Sequence, residues 1–373
     1  MPSLRLVAAA SAAVKHNGEV FGCAYAPDGD YLLTGGWDGH LRVWDARSGD
    51  QVTAFPAGSK PISACAVSPD GRHLMSGFLD GFLARWDASS HQPVSRFVAH
   101  ARPISAIVFS ADGQRLATSS WDRNLALWDP GHDGDARILT GHGDIVAGCR
   151  FTPDARMLVS WSYDGCLGLW DVARGQELTQ LSGHSDRLTA GSVSPDGQWA
   201  ATGSRDQAIK LWNLATQQEV ASVTLEGEIR ACLFLLDGEH LIVADAQGHV
   251  SLHTLPELEV CDLVETGLRV QCAELSPSGA QVALGCETGE VRFLAVEGFD
   301  GAPLAVTATR TSRRTATALQ RFFGRSRVTE AYRCTCPVCR ETFELRNNPS
   351  QPQPCPSCRR SLRIRAVAAA LQE

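Results

Sequence analysis

Residues 31–45 read YLLTGGWDGHLRVWD, and Trp44 within them is the first of five tryptophans spaced 42 residues apart. The others are Trp86, Trp128, Trp170 and Trp212; Asp45, Asp87, Asp129 and Asp171 follow the first four, and Asn213 follows the fifth. A second marker keeps the same step: PDG at Pro27 and Pro69, ADG at Ala111, PDA at Pro153 and PDG at Pro195. Two unrelated markers in one phase identify a tandem repeat. LDG at Leu236 and PSG at Pro277 arrive after steps of 41, with His253 and Leu294 at the tryptophan position, so seven copies are countable.

Each copy carries four short runs, in the first VFGCAY, YLLTG, LRVW and QVTAF. They are rich in β-branched and aromatic residues and separated by Gly, Pro and Asp, which predicts four antiparallel strands. In PDG the proline has a fixed φ and the glycine tolerates a positive one, as a hairpin connection requires. One such sheet buries neither face by itself, so copies must stack, and a closed ring leaves few exposed edges. The chain thus resembles a WD-repeat β-propeller of seven blades over residues 1–309, an all-β fold. The resemblance implies that an N-terminal strand completes the last blade. Residues 4–10 fit that role, and residues 303–309 fit the same outer slot.

A polar set recurs at constant offsets: His16, Thr34, Asp38 and Trp44; His100, Thr118, Asp122 and Trp128; His142, Ser160, Asp164 and Trp170; His184, Thr202, Asp206 and Trp212. A hydroxyl with His and Asp suggests nucleophilic catalysis. A hydrolase needs one such site, however, whereas four copies in one phase are what a supporting network would show. The resemblance implies hydrogen-bonded tetrads that tie the loop leading into each blade, the turn after its second strand, and its tryptophan. Buried His, hydroxyl and carboxylate groups are tolerable only if they satisfy one another. Blade two keeps Ser76, Asp80 and Trp86 but has Gly58 at the histidine position; blades six and seven have Gln247 and Thr288 at the aspartate position. Those three are expected to depend more on apolar packing. None of the three lysines follows a glycine as a P-loop requires, and HExxH and GxSxG are missing. No catalytic residue is assigned.

In WD-repeat propellers the residue before the tetrad aspartate sits on the rim of one face. Carried over, these are Trp37, Leu79, Trp121, Tyr163 and Arg205. Aromatics and arginine are the types enriched at interface hot spots, so the set predicts a protein or peptide partner; packing over neighbouring loops is the competing reading. Phe78 and Trp161 lie next to this set, but the pleat turns them toward neighbouring blades.

Residues 310–333 hold seven Arg and one Glu, with Ala316, Leu319 and Phe323 at helical spacing, which predicts a short basic helix in a linker. A tether docked on the propeller, an RNA or DNA contact and an anionic-membrane contact compete for it. Residues 334–373 contain Cys336-Pro-Val-Cys339 and, fifteen residues on, Cys355-Pro-Ser-Cys358. Two such turns can set four thiolates tetrahedrally around Zn2+, and a module this small needs metal to fold. It resembles a zinc ribbon, with strands near 342–346 and 361–367; Arg340 and Arg359 stand where that family often has glycine. Four protein ligands leave no open position for a catalytic water, so the zinc is structural. Cys334 offers a third sulfur at the first turn but breaks the spacing.

The 373 residues are 44% hydrophobic and 20% charged, ordinary for a soluble globular chain. No apolar run approaches the roughly 18 residues of a membrane helix. Net charge is −7, but residues 302–373 carry thirteen Arg against four Glu, or +9, leaving −16 on residues 1–301. The propeller therefore favours a basic or neutral protein over bare nucleic acid, and the C-terminal part is where nucleic acid would bind. Arg5 before an Ala-rich stretch gives the N-terminus a faint signal-peptide look. Thirteen cysteines, an odd number at mostly isolated spacing, point instead to a reducing compartment, the cytoplasm.

Overall fold

Short apolar, β-prone runs between PDG-type turns fold each repeat into a four-stranded antiparallel sheet, whose second strand is buried almost throughout and whose outer strand alternates, as in Pro93–Val98. The computed structural model of the chain describes residues 2–6, 15–131, 134–297, 304–315, 327–335, 342–345, 353–354 and 361–367. In blade 1 the strands run from an inner Val20–Tyr25 through Tyr31–Gly36 and His40–Asp45 to an outer Gln51–Pro56. The inner hairpin turns through Pro27-Asp28-Gly29, where Gly29 has φ +77° and its N–H donates to Ala26 O at 2.9 Å. Blades 2–6 repeat this order over residues 62–98, 104–139, 146–182, 188–224 and 229–265.

Blade 7 takes three strands from its own repeat, Val270–Leu275, Gln281–Cys286 and Val291–Glu297, and its outer strand is Ser3–Leu6. The pairing runs from Ser3 opposite Glu297 to Leu6 opposite Leu294, and Leu4 N–H donates to Asp262 Oδ2 at 2.6 Å. Leu4 is buried in a cluster with Leu252, Val282 and Val296. Of the two expected closing segments, the N-terminal one is used, over residues 3–6.

Apolar clusters lie between successive blades. Leu33, Leu41 and Val43 of blade 1 pack with Ile62, Leu74 and Phe78 of blade 2. Close approach selects small residues: a Cβ on Gly35 would lie 2.5 Å from an Ile62 methyl. Blade 4 reverses the arrangement at the matching position, where Trp161 is 9% exposed. Its ring lies where Cβ atoms on Gly148 and Gly191 would fall, 2.4 Å from ring carbons in each case. Trp161 thus reaches the neighbouring blade at Gly191, while the fully buried Phe78 belongs to the blade 1–2 cluster and also meets Gly58 and Arg96 of its own blade.

The chain divides into two compact units, Met1–Gly301 and Ala302–Glu373. The second contains a five-stranded sheet in the order Thr342–Leu345, Arg327–Thr335, Leu304–Thr315, Ser361–Val367, Gln353–Pro354. The basic segment expected to be helical is therefore strand over 310–315 and 327–333. Thr307, Thr309 and Thr311 alternate through the first strand, and this period of two favours it. Ala316, Leu319 and Phe323 lie outside the described residues. No helix among the described residues is long and apolar enough to cross a membrane.

Candidate functional site

The loop-bearing face of the propeller is built from the tetrads upward. In blade 1, Trp44 Nε1–H donates to Thr34 Oγ1 at 2.8 Å, Thr34 meets His16 Nε2 at 2.8 Å, and His16 Nδ1 meets Asp38 Oδ1 at 2.9 Å. An indole can only donate, so the hydroxyl oxygen accepts from Trp44; a neutral imidazole whose Nδ1–H donates to the acceptor-only carboxylate then leaves Nε2 to accept the hydroxyl's proton. Burial, which lowers the His16 pKa, favours that neutral form. Blades 3, 4 and 5 repeat the chain through His100, Thr118, Asp122 and Trp128, then His142, Ser160, Asp164 and Trp170, then His184, Thr202, Asp206 and Trp212. Thr34, Thr118, Ser160 and Thr202 are fully buried, so no substrate carbonyl reaches their oxygens.

The electrostatics follow from burial. Desolvation holds the His16 and His184 pKa values below the ordinary value, against the pull of their aspartates. Burial pushes Asp38 upward, but the hydrogen bonds from His16 and the Asn17 amide and the Arg42 guanidinium outweigh it and leave it well below the carboxylate range. Asp164 is lowered to about 2: burial opposes the shift, and His142 with the amides of Cys166 and Gly143 outweighs it.

Each aspartate also clamps the rim, accepting from the amide after its histidine: Asn17 to Asp38 at 3.0 Å, Ala101 to Asp122 at 3.1 Å, Gly143 to Asp164 at 2.8 Å and Ser185 to Asp206 at 2.9 Å. The rim residues are fixed by their own amides, Trp37 to Glu19 O, Leu79 to Pro61 O, Trp121 to Pro103 O, Tyr163 to Ile145 O and Arg205 to Arg187 O, all at 2.8–3.1 Å. Trp37 and Trp121 present 55% and 44% of their surface to water, Arg205 is exposed, and Leu79 and Tyr163 are half-buried. Tyr163 lies under the Arg187 guanidinium, 5.0 Å from its ring centre. Beside Trp121, Arg123 adopts φ +75° at the turn position where blades 1, 2 and 4 have Gly39, Gly81 and Gly165. A left-handed non-glycine residue costs about 1 kcal/mol.

The departing blades use substitutes that repeat spacing does not reveal. In blade 2, Trp86 Nε1–H still donates to Ser76 Oγ at 2.9 Å. Gly58 leaves room for Arg96, which lies 4.9 Å over Phe78 and 4.7 Å over Phe82 and reaches Asp80 at 3.7 Å. In blade 6 the nearly buried Asp245, two residues before Gln247, pairs with His249 Nδ1 at 2.7 Å. The hydrogen bond to Asp245 raises the His249 pKa. His253, in the tryptophan slot, bonds Ser251 Oγ at 2.7 Å and Leu258 O at 3.0 Å. The signal available in the sequence was a carboxylate four residues before a histidine. Cys336, Cys339, Cys355 and Cys358 lie outside the described residues.

A family model described as the IFT122 first beta-propeller matches residues 19–295. Over 48 residues the chain is 42% identical to the U3 snoRNP-associated protein-like YAO of Arabidopsis thaliana, a stretch covering 13% of this chain and 10% of that protein. That length is little more than one repeat, so the likeness compares blade with blade.

Proposed function

The chain belongs to the IFT122 first β-propeller family, and on that premise we propose that it is a non-enzymatic scaffold holding another protein on the rim of Trp37, Leu79, Trp121, Tyr163 and Arg205. The exposure of Trp37 and Trp121 carries this reading, because two large rings held in water above fully bonded frames contribute little to the fold beneath. The test compares proteins co-purifying with the full chain and with a W37A/W121A/Y163A variant. Loss of a defined set at unchanged melting temperature is expected; an identical set refutes the reading. The setting proposed is the cytoplasm, in keeping with eight free thiols in the propeller.

Cys336, Cys339, Cys355 and Cys358 are proposed to hold one structural Zn2+. Four thiolates suit this ion, which would supply folding energy to a small module. Backbone pairing supports the reading: residues 336–341 connect the register partners Thr335 and Thr342, and residues 355–360 connect Pro354 and Ser361. Cys334 pairs with Ala308 and Leu362 with Leu304, so the described residues that flank the two segments, Thr335 and Thr342 and then Pro354 and Ser361, lie at the same end of the sheet. Arg327–Thr335 and Ser361–Val367 flank one central strand and so lie about 10 Å apart. Elemental analysis of the full chain should return one zinc, lost on C355S/C358S; a chain purified without chelator and lacking zinc, or a variant retaining it, refutes the assignment.

A second reading, a nucleic-acid-associated factor, is favoured by the +9 charge of residues 302–373 and by the relative whose name places it with a snoRNP. It requires the full chain to bind RNA or DNA with an affinity that falls steeply as salt rises. No binding at low salt removes it.

A further inference from the structure

We infer that the rim over blades 1–3 docks an extended acidic segment of a partner protein that also carries large apolar side chains. The inference rests on the scaffold reading and specifies its partner.

Trp37, Leu79 and Trp121 occupy three consecutive blades and form one apolar arc. A Cβ on Gly18 would lie 2.9 Å from that of Trp37, so glycine lets the indole lie over the loop, with Phe21 behind it at 6.2 Å. Lys15, Lys60, Arg102 and Arg123 stand in the loops and turns of this arc; all are exposed, and none is ion-paired among the described residues. Asp38 is paired with Arg42 and Asp80 faces Arg96, while Asp122 is hydrogen-bonded to His100. Glu19 is the remaining acid in these loops and turns, so four negative charges stand against six positive ones, Arg42 and Arg96 included.

The arc is thus locally cationic on a unit of net charge −16. At physiological salt the Debye length is about 8 Å, so a bound segment senses the charges beside it more than the distant total. The basic or neutral partner expected from net charge is replaced, on this arc, by an acidic one. Blades 4–7 are different: Asp144, Asp186, Glu226, Glu228 and Glu287 lie in the equivalent loops and turns and, with the tetrad-position Asp164, Asp206 and Asp245, outnumber Arg187, Arg205, Arg230 and Arg269, even though Glu228 pairs with Arg230 and Glu287 with Arg269. A nucleic acid, with a phosphate at every step, would run off the cationic arc onto these carboxylates. A peptide with a few acidic residues spaced by apolar ones would not.

The test is selection of random short peptides on the full chain at low salt. Selected peptides should combine Asp or Glu with Trp, Phe or Leu, and bind about thirtyfold more weakly to W37A/W121A. They should bind at least about tenfold more weakly to K60E/R102E and lose affinity as salt rises. All variants lie on exposed side chains and should keep the parent melting temperature. Selected peptides that are basic yet need the two tryptophans would overturn the acidic partner and leave the scaffold reading standing. Binding indifferent to W37A/W121A, or no selection at all, would overturn both. Tight, tryptophan-dependent binding of a short oligothymidylate would overturn the peptide in favour of nucleic acid.

Discussion

Ser160 to Ala is the most informative change to the tetrads. Ser160 Oγ accepts from Trp170 Nε1–H at 2.8 Å and meets His142 Nε2 at 2.8 Å, and all three residues are buried. Removing the hydroxyl strands one donor and one acceptor without letting water in. Each stranded group costs about 1–3 kcal/mol, so S160A should destabilise the propeller by about 2–5 kcal/mol. Blade 2 provides an internal comparison, because Ser76 serves Trp86 alone and Gly58 replaces the histidine. S76A strands one group and should cost about 1–3 kcal/mol. Denaturant unfolding followed by tryptophan fluorescence would compare the two with an exposed control, S59A, expected within about 0.5 kcal/mol of the parent. If S76A costs as much as S160A, or S160A behaves like S59A, the tetrads do not work as linked frames.

Trp161 to Ala should cost about 3–5 kcal/mol, measured in the same assay, because it empties the space left for the ring by Gly148 and Gly191; a near-neutral result would mean the interface recloses. Acid should destabilise the propeller in two stages. Burial keeps the His16, His184 and His253 pKa values below 6.5, so the unfolded chain takes up protons first and stability falls as pH drops below about 6.5. A second loss follows below about pH 3.8 as Asp38, Asp122, Asp164 and Asp206 are forced to protonate. His249, raised by Asp245, works the other way but is one partly exposed group. A melting temperature that rises between about pH 7 and pH 5 would contradict this.

The propeller was legible because a tryptophan and a turn keep one period through the first five blades and a tetrad keeps it in four of them, so the evidence repeats from blade to blade. What lay outside that period was not legible. Residues 4–10 and 303–309 are both short and β-prone; which one closes the ring depends on the register with Val291–Glu297 and on a pocket for Leu4, which local pattern does not encode. Arg96 and the Asp245–His249 pair do the work of missing tetrad members from other positions, so alignment by phase passes over them. At the rim, periodicity located Trp37 and Trp121, while the cationic neighbourhood emerged only when loops distant in sequence were brought onto one face.

The most direct test of the central claim, that the protein's work is done on this rim, is photo-crosslinking from the full chain in its native cells. A photoreactive residue replaces Leu79, between the two tryptophans, or Leu178, exposed on the outer strand Gln176–Ser182 of blade 4. Position 79 should give discrete protein adducts that disappear with W37A/W121A, and position 178 should give none. Adducts from 178 with none from 79 would place the function elsewhere on the molecule.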